Sequence, residues 1–259
     1  MTGRSGGPDT ISLAQVPVHA VDLNAVLALV DAFIADGGPH YNIAINAAKV
    51  VEFQSDAAMR HAIREAHLLT ADGQSVVWAA RLLGGPLPGR VAGADMMEEL
   101  LAHSERRGYS VYFLGAREAI VTACVAKATV LYPALRIAGF RNGYFSADEE
   151  PVVVEAIREA RPDILFLGFG TPAKEYFMNR RYRELAVPFV MGVGGTFDVF
   201  AGLVRRAPRW MQRGGLEWAF RLAQEPRRMW KRYLVGNARF IALVARDLIA
   251  RHVHHTKAP

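Results

Sequence analysis

Apolar runs of strand length alternate with segments of helical period along most of this chain, and that alternation leaves few folds open. The strand-length runs are Ile11–Val18, Tyr41–Asn46, Leu68–Thr70, Ser110–Leu114, Arg136–Gly139, Asp163–Gly168 and Pro188–Val193. Between them, three- and four-residue spacing of apolar side chains marks helices over Asp22–Ala35, Asp56–Ala66, Gln74–Leu83, Ala94–Arg107, Glu118–Leu131, Ala147–Glu159 and Ala173–Leu185. A run such as ILFLGFG has no polar alternation, so both faces of that strand must be covered. Strand, helix, strand order with doubly covered strands predicts an α/β fold, a mainly parallel sheet with helices on both faces.

Beyond Leu203 the pattern becomes helical only. Residues 1–203 are therefore expected to form the α/β domain and residues 204–259 a C-terminal basic helical appendage. The charge divides at the same place: Val204–Pro259 holds thirteen Lys and Arg against three Asp and Glu, whereas the remainder carries 18 against 22. In Arg205–Tyr233, RRAPRWMQRGGLEWAFRLAQEPRRMWKRY, arginines interleave with tryptophans. Such a segment suits contact with polyanions, either nucleic acid or an anionic membrane surface. Gly214 and Gly215 break its first part. Pro226 suits the first turn of a last helix running to about Arg251. On that helix Trp230, Tyr233, Leu234, Phe240, Ile241, Val244 and Leu248 form one apolar stripe, which fits either the core, a neighbouring subunit or a lipid interface. No stretch has the length and apolarity of a membrane span. MTGRSGGPDT lacks the apolar run of a signal peptide. The only cysteine, Cys124, excludes an intramolecular disulfide and fits a reducing cytoplasm.

In parallel sheets ligands sit beyond the carboxyl ends of the strands. That rule selects Asn46 in NAAK, Asp72 in ADGQS, Gly115 in LGARE, Gly168 and Gly170 in GFGTPAKE, and Gly194, Gly195 and Thr196 in GVGGTFD. Asp72 there is placed to take a proton from an attacking hydroxyl, although Asp-Gly is also a common turn pair. The glycine loops offer backbone N–H groups to a diphosphate, or simply let a helix pack closely on a strand. Phe197 occupies the third glycine position of a dinucleotide fingerprint, which argues against a nucleotide-dependent oxidoreductase. Arg90, in PLPGRVAGAD, reads as a loop arginine suited to phosphate or to water. No D-x-D pair is present to bridge a metal to a nucleotide diphosphate.

TADGQSVVWAARLLGGPLPGRVAGAD, RPDILFLGFGTPAKE and the run from Gly192 to Tyr233 together resemble the WecG/TagA/CpsF glycosyltransferase family over nearly the whole chain. The resemblance implies a Rossmann-like α/β fold with a membrane-docking C-terminal appendage, and an inverting enzyme that moves a sugar from a UDP-sugar to a lipid-linked saccharide for a bacterial surface polysaccharide, with no metal and no cofactor. It implies Asp72 as general base, with Asn46 near the donor or acceptor and Arg90 near phosphate or acceptor. Lys174, Glu175, Arg206, Arg221, Arg227 and Arg232 are implied on the donor side. Two positions depart from the family pattern. Lys174 stands where glutamine is common, and Ala44 stands two positions before Asn46 where threonine is common. A lysine there is suited to a carboxylate, which points to a uronic acid donor such as glucuronate. The alternatives are N-acetylmannosamine, N-acetylmannosaminuronate and glucose. The expected location is the cytoplasmic face of the plasma membrane, with anionic lipid as a partner and a homo-oligomer compatible. Nucleic acid is not expected, because a nucleic-acid module would leave Asp72 and the glycine loops without a role.

Overall fold

The computed structural model describes residues 8–224 and 226–255. Six parallel strands form the central sheet: β3 (His40–Ile45), β4 (Leu68–Ala71), β5 (Ser110–Gly115), β6 (Arg136–Arg141), β7 (Ile164–Gly168) and β8 (Phe189–Gly192). Their spatial order is β4-β3-β8-β7-β5-β6. A separate antiparallel hairpin, β1 (Thr10–Leu13) with β2 (Val16–His19), precedes them. The helices are α1 (Leu23–Asp36), α2 (Ala47–Ser55), α3 (Ala57–Glu65), α4 (Gln74–Leu82), α5 (Gly93–Arg107), α6 (Glu118–Leu131), α7 (Glu150–Ala160), α8 (Ala173–Leu185), α9 (Thr196–Phe200), α10 (Arg209–Arg213), α11 (Glu217–Gln224) and α12 (Pro226–His255). The expected doubly covered parallel sheet is therefore present.

Two apolar clusters sandwich the sheet. One gathers Phe53, Ile63, Val77, Ile157 and Met178 from α2, α3, α4, α7 and α8. The other gathers Val30, Leu100, Val121 and Phe197 from α1, α5, α6 and α9. Connections stepping toward the β4 edge carry α2–α3, α7 and α8 on the first face. Those stepping toward β6 carry α5 and α6 on the second, as right-handed crossovers require. At the carboxyl ends, β5 therefore leads to one face while its neighbour β7 leads to the other. β8 likewise leads to α9, away from α2 and α8. A crevice opens where the chain diverges in this way.

Three expectations need correction. Ile11–Val18 is a hairpin and not one strand: Ala14 (φ 48°) and Gln15 (φ 66°) turn the chain with left-handed backbone. The usual turn signal is Asn-Gly or Asp-Gly. Here tertiary bonds hold the turn instead, Ala14 N donating to Asp247 Oδ2 (2.6 Å) and Gln54 Nε2 donating to Ala14 O (2.8 Å). Second, α2 follows Asn46 directly. Asn46 Oδ1 caps it by accepting from Lys49 N at 3.2 Å, and Asp56 caps α3 through Ala58 N and Met59 N. Third, the stripe on the last helix splits. Phe240 and Val244 are buried in the first cluster and Leu248 packs against it, while Trp230, Leu234 and Ile241 are exposed. Asp247 and Arg251, which donates to Ser12 O at 3.0 Å, tie the same end of α12 to the hairpin. No described helix is long and apolar enough to cross a membrane.

Candidate active site

Asp72 stands one residue past the end of β4, with its N–H donating to Ile45 O at the end of β3 (2.8 Å). The preceding carbonyl, Ala71 O, accepts from Val91 N at 2.8 Å, which brings the Arg90 loop to the same strand end. A Cβ placed on Gly73 would lie 3.7 Å from Asn46 Cβ. Asn46, Asp72 and the Arg90 backbone thus converge, although 44 positions of sequence separate the first from the last.

Beneath them lies a buried ionic cluster. Lys49 (2 % exposed) donates from Nζ to Ala44 O (2.6 Å) and pairs with Glu175 Oε1 at 3.0 Å. Glu175 is fully buried, and Thr171 Oγ1 also donates to Oε1 (3.3 Å). Lys174 Nζ reaches the same oxygen at 3.5 Å. Glu175 Oε2 is buried without a hydrogen-bond partner. Burial alone pushes the Glu175 carboxyl up, but the Lys49 and then the Lys174 charges overturn this and hold it below the ordinary carboxylate range. Burial, followed by repulsion from Lys49, brings Lys174 down to about 8, while Glu175 and Asp72 pull the other way. The Lys174 stem lies along the end of β8, so that a Cβ on Gly192 would meet its Cδ at 3.0 Å and one on Gly194 its Nζ at 3.2 Å. Lys49 is the residue that sequence reasoning passed over. Its signal was present, a lysine three positions after a capping asparagine and flanked by the apolar pairs Ala47-Ala48 and Val50-Val51.

The glycines divide into two groups. A Cβ on Gly115 (φ 136°) would fall 2.6 Å from the Gly168 backbone, and one on Gly168 would fall 2.4 Å from the Phe197 ring. Close packing accounts for both. Gly170 faces open space, and a Cβ on Gly195 would reach Asp198 Oδ2 only at 4.0 Å. Gly194 (φ 56°) borders Lys174, and Thr196 begins α9. Next to Gly168 and Gly170 a cavity of about 360 Å³ opens, walled by Gly143, Tyr144, Phe145, Phe169 and Arg180. It continues the crevice past the ends of β5 and β7.

Arg90 and Arg206, 116 positions apart in sequence, share one partner, Glu217. Arg90 Nη1 pairs with Glu217 Oε2 at 2.8 Å, and Arg206 Nε lies 3.7 Å from Glu217 Oε1. Arg206 Nη1 pairs with Asp95 Oδ1 at 2.5 Å, and its Nε and Nη2 are buried without a hydrogen-bond partner. Burial opposes the Arg206 charge, yet Asp95 holds the guanidinium pKa above its ordinary value. Both guanidiniums thus rest on carboxylates of the chain itself. Glu217 is the single acid between Val204 and Gln224, which was its legible signal. Gly215, in the turn before α11, packs against Gln74 and Trp78 of α4, two and six positions after Asp72. Arg227 is exposed on the first turn of α12. The side chains of Arg221 and Arg232 lie outside the described residues.

Comparison with known proteins bears on the whole of this arrangement. An N-acetylglucosaminyldiphosphoundecaprenol N-acetyl-beta-D-mannosaminyltransferase of Bacillus subtilis is 38 % identical over 173 residues, 66 % of this chain and 66 % of the relative. A protein of the same name from Bacillus spizizenii is 33 % identical over 195 residues, 75 % of this chain and 74 % of the relative. The family model described as glycosyl transferase WecG/TagA/CpsF matches residues 11–254. That span takes in both sheets, the crevice and nearly all of the appendage, and the chain therefore belongs to the WecG/TagA/CpsF family of glycosyl transferases.

Proposed function

We propose that this chain transfers a sugar from a nucleoside-diphosphate donor, UDP-linked, to a polyprenyl-diphosphate-linked saccharide, with inversion at the anomeric carbon. The observation that carries the reading is the placement of Asp72: a carboxylate at a strand end, beside Asn46, above a buried pair of ammonium groups. The carboxylate takes the proton of the acceptor hydroxyl as that oxygen attacks the anomeric carbon. The bond to the diphosphate breaks on the opposite face. Cations of the crevice answer the charge that grows on the leaving oxygen, where fixed electrostatics contribute most. The cavity beside Gly168 and Gly170 has the size and the aromatic wall suited to the nucleoside.

We read the donor sugar as N-acetylmannosamine, the group that both Bacillus relatives transfer by name. A uronate is the second reading, and the nearness of Lys174 to a carboxylate already held by Lys49 favours it. The appendage is read as the part that seats the protein on the inner face of an anionic membrane, where its acceptor resides. Trp210 and Trp218 are exposed on it, as is Arg227.

Asp72→Asn is the decisive variant. It is expected to lower transfer by at least about a hundredfold, the contribution of a positioned general base, while UDP stabilises variant and parent equally against heat. Undiminished turnover by the variant would remove Asp72 from this role.

A further inference from the structure

Two ammonium groups and one carboxylate share the floor of the crevice, and they do not share it equally. Lys49 is held twice, by Ala44 O and by Glu175 Oε1. Lys174 has the longer claim on that same oxygen, at 3.5 Å, and its ammonium borders Gly194, which is buried next to the exposed Gly195. A buried carboxylate that has committed its nearer oxygen to Lys49 cannot fully answer a second cation.

We propose that Lys49 is a positioning residue: by claiming Glu175 it leaves Lys174 as the cation of the crevice, aimed at an anionic oxygen of the donor. This rests on the donor reading above and deepens it. The charged groups that bear on Lys174 are Lys49 from α2, Glu175 from α8 and Asp72 beyond β4. The adjoining end of β8, Gly192 to Gly195, contributes none. An anionic oxygen of the donor has two sources, the diphosphate and a sugar carboxylate. Both would accept a charge-assisted hydrogen bond from Lys174 at the same place.

The mechanism makes an unusual demand on the Lys49→Met variant. Removing Lys49 takes away a repelling charge and frees Glu175 for Lys174, so the Lys174 ammonium should persist to higher pH. Transfer by the parent, followed as kcat/KM, is expected to fall above about pH 8 as Lys174 loses its proton. In Lys49→Met that alkaline limb should move up by about one unit. Lys49→Arg should restore the parent profile. A role in folding alone would lower activity at every pH and leave the limb where it was. Should Lys49→Met fail to fold, Lys49→Gln removes the repelling charge while keeping a polar group for Ala44 O and Glu175, and the limb should again rise.

Lys174→Gln supplies the arm that identifies the anion. Binding of UDP, UDP-N-acetylmannosamine and UDP-glucuronate is measured by calorimetry on the full chain. Weakening of all three by about tenfold or more, as for one lost charge-assisted bond, assigns the contact to the diphosphate. Weakening confined to UDP-glucuronate assigns it to the sugar carboxylate. Unchanged binding of all three, with an unmoved alkaline limb in Lys49→Met, overturns the proposal while leaving the donor reading intact. Absence of binding by the parent itself would instead count against the donor reading.

Discussion

His19 and His67 show how much of this fold depends on single protonation states. Each places Nδ1 as an acceptor for a backbone N–H, His19 for Leu69 at 3.3 Å and His67 for Tyr41 at 3.4 Å. Protonation would turn the acceptor into a donor facing another donor. Burial accordingly lowers the pKa of both, with the nearby His40 adding to the effect at His67. In the unfolded chain both return to about 6.5. Between that value and the lowered folded pKa, the unfolded chain binds protons that the folded chain does not, so stability falls as pH falls from about 6.5. The urea midpoint is expected to drop between pH 7 and pH 5.5, and the drop should shrink in a His19→Asn/His67→Asn variant. An equal drop in that variant would assign the acid sensitivity to other groups. At the same scale, Gly168 marks where residue-level reading stops. A glycine at a strand end announces either a ligand or a close neighbour, and only the packed structure shows the Phe197 ring lying where a Cβ would project.

Strands with both faces covered were legible because burial leaves a continuous apolar run, as in β7 and β8. The β1–β2 turn was not, since Ala14-Gln15 lacks turn chemistry and its bonds come from α2 and α12, far away in sequence. The ends of α5, α6 and α8 were legible from periodicity. The division of labour on α12 was not, because burial there depends on which neighbours the helix meets. Phe240 (4 % exposed) packs into the core, while the adjacent Ile241 is 66 % exposed. Their truncations should therefore separate. Phe240→Ala is expected to cost about 3–5 kcal/mol, the usual range for a buried phenylalanine. Ile241→Ala should stay within about 0.5 kcal/mol. Urea denaturation of both variants measures this, and equal losses would contradict the burial of Phe240 in the first apolar cluster described above. The site was legible in its strand-end residues and opaque in its ion pairs. Asn46 and Asp72 follow from the sheet rule, whereas the pairing of Arg90 with Glu217 and of Lys49 with Glu175 joins residues about 127 apart in each case, a separation that no local pattern encodes.

The whole molecule is an acidic body joined to a basic segment, and the fold decides which part of that segment remains available. The far end of α12 is committed to the body through Phe240, Val244, Asp247 and Arg251. The near part of the appendage presents Trp210 at 66 %, Trp218 at 44 % and Trp230 at 47 % exposure, with Leu234 beside them in sequence terms on the same helix as Trp230. On α4, Trp78 and Leu82 are also exposed, and Gly215, in the turn before α11, lies against Trp78. Exposed tryptophans among arginines suit the boundary between headgroup and acyl chain, and each basic group near an anionic surface contributes about 1 kcal/mol. If this surface seats the protein on lipid, the full chain should float with vesicles containing anionic phospholipid and remain behind with neutral ones. Raising salt from about 0.1 M to 1 M shortens the screening length from about 10 Å to 3 Å and should weaken flotation strongly. Trp210→Ala/Trp218→Ala should weaken it while preserving UDP binding, since neither tryptophan lines the cavity beside Gly168 and Gly170. Flotation that is indifferent to lipid charge, salt and both tryptophans would exclude this surface as the contact.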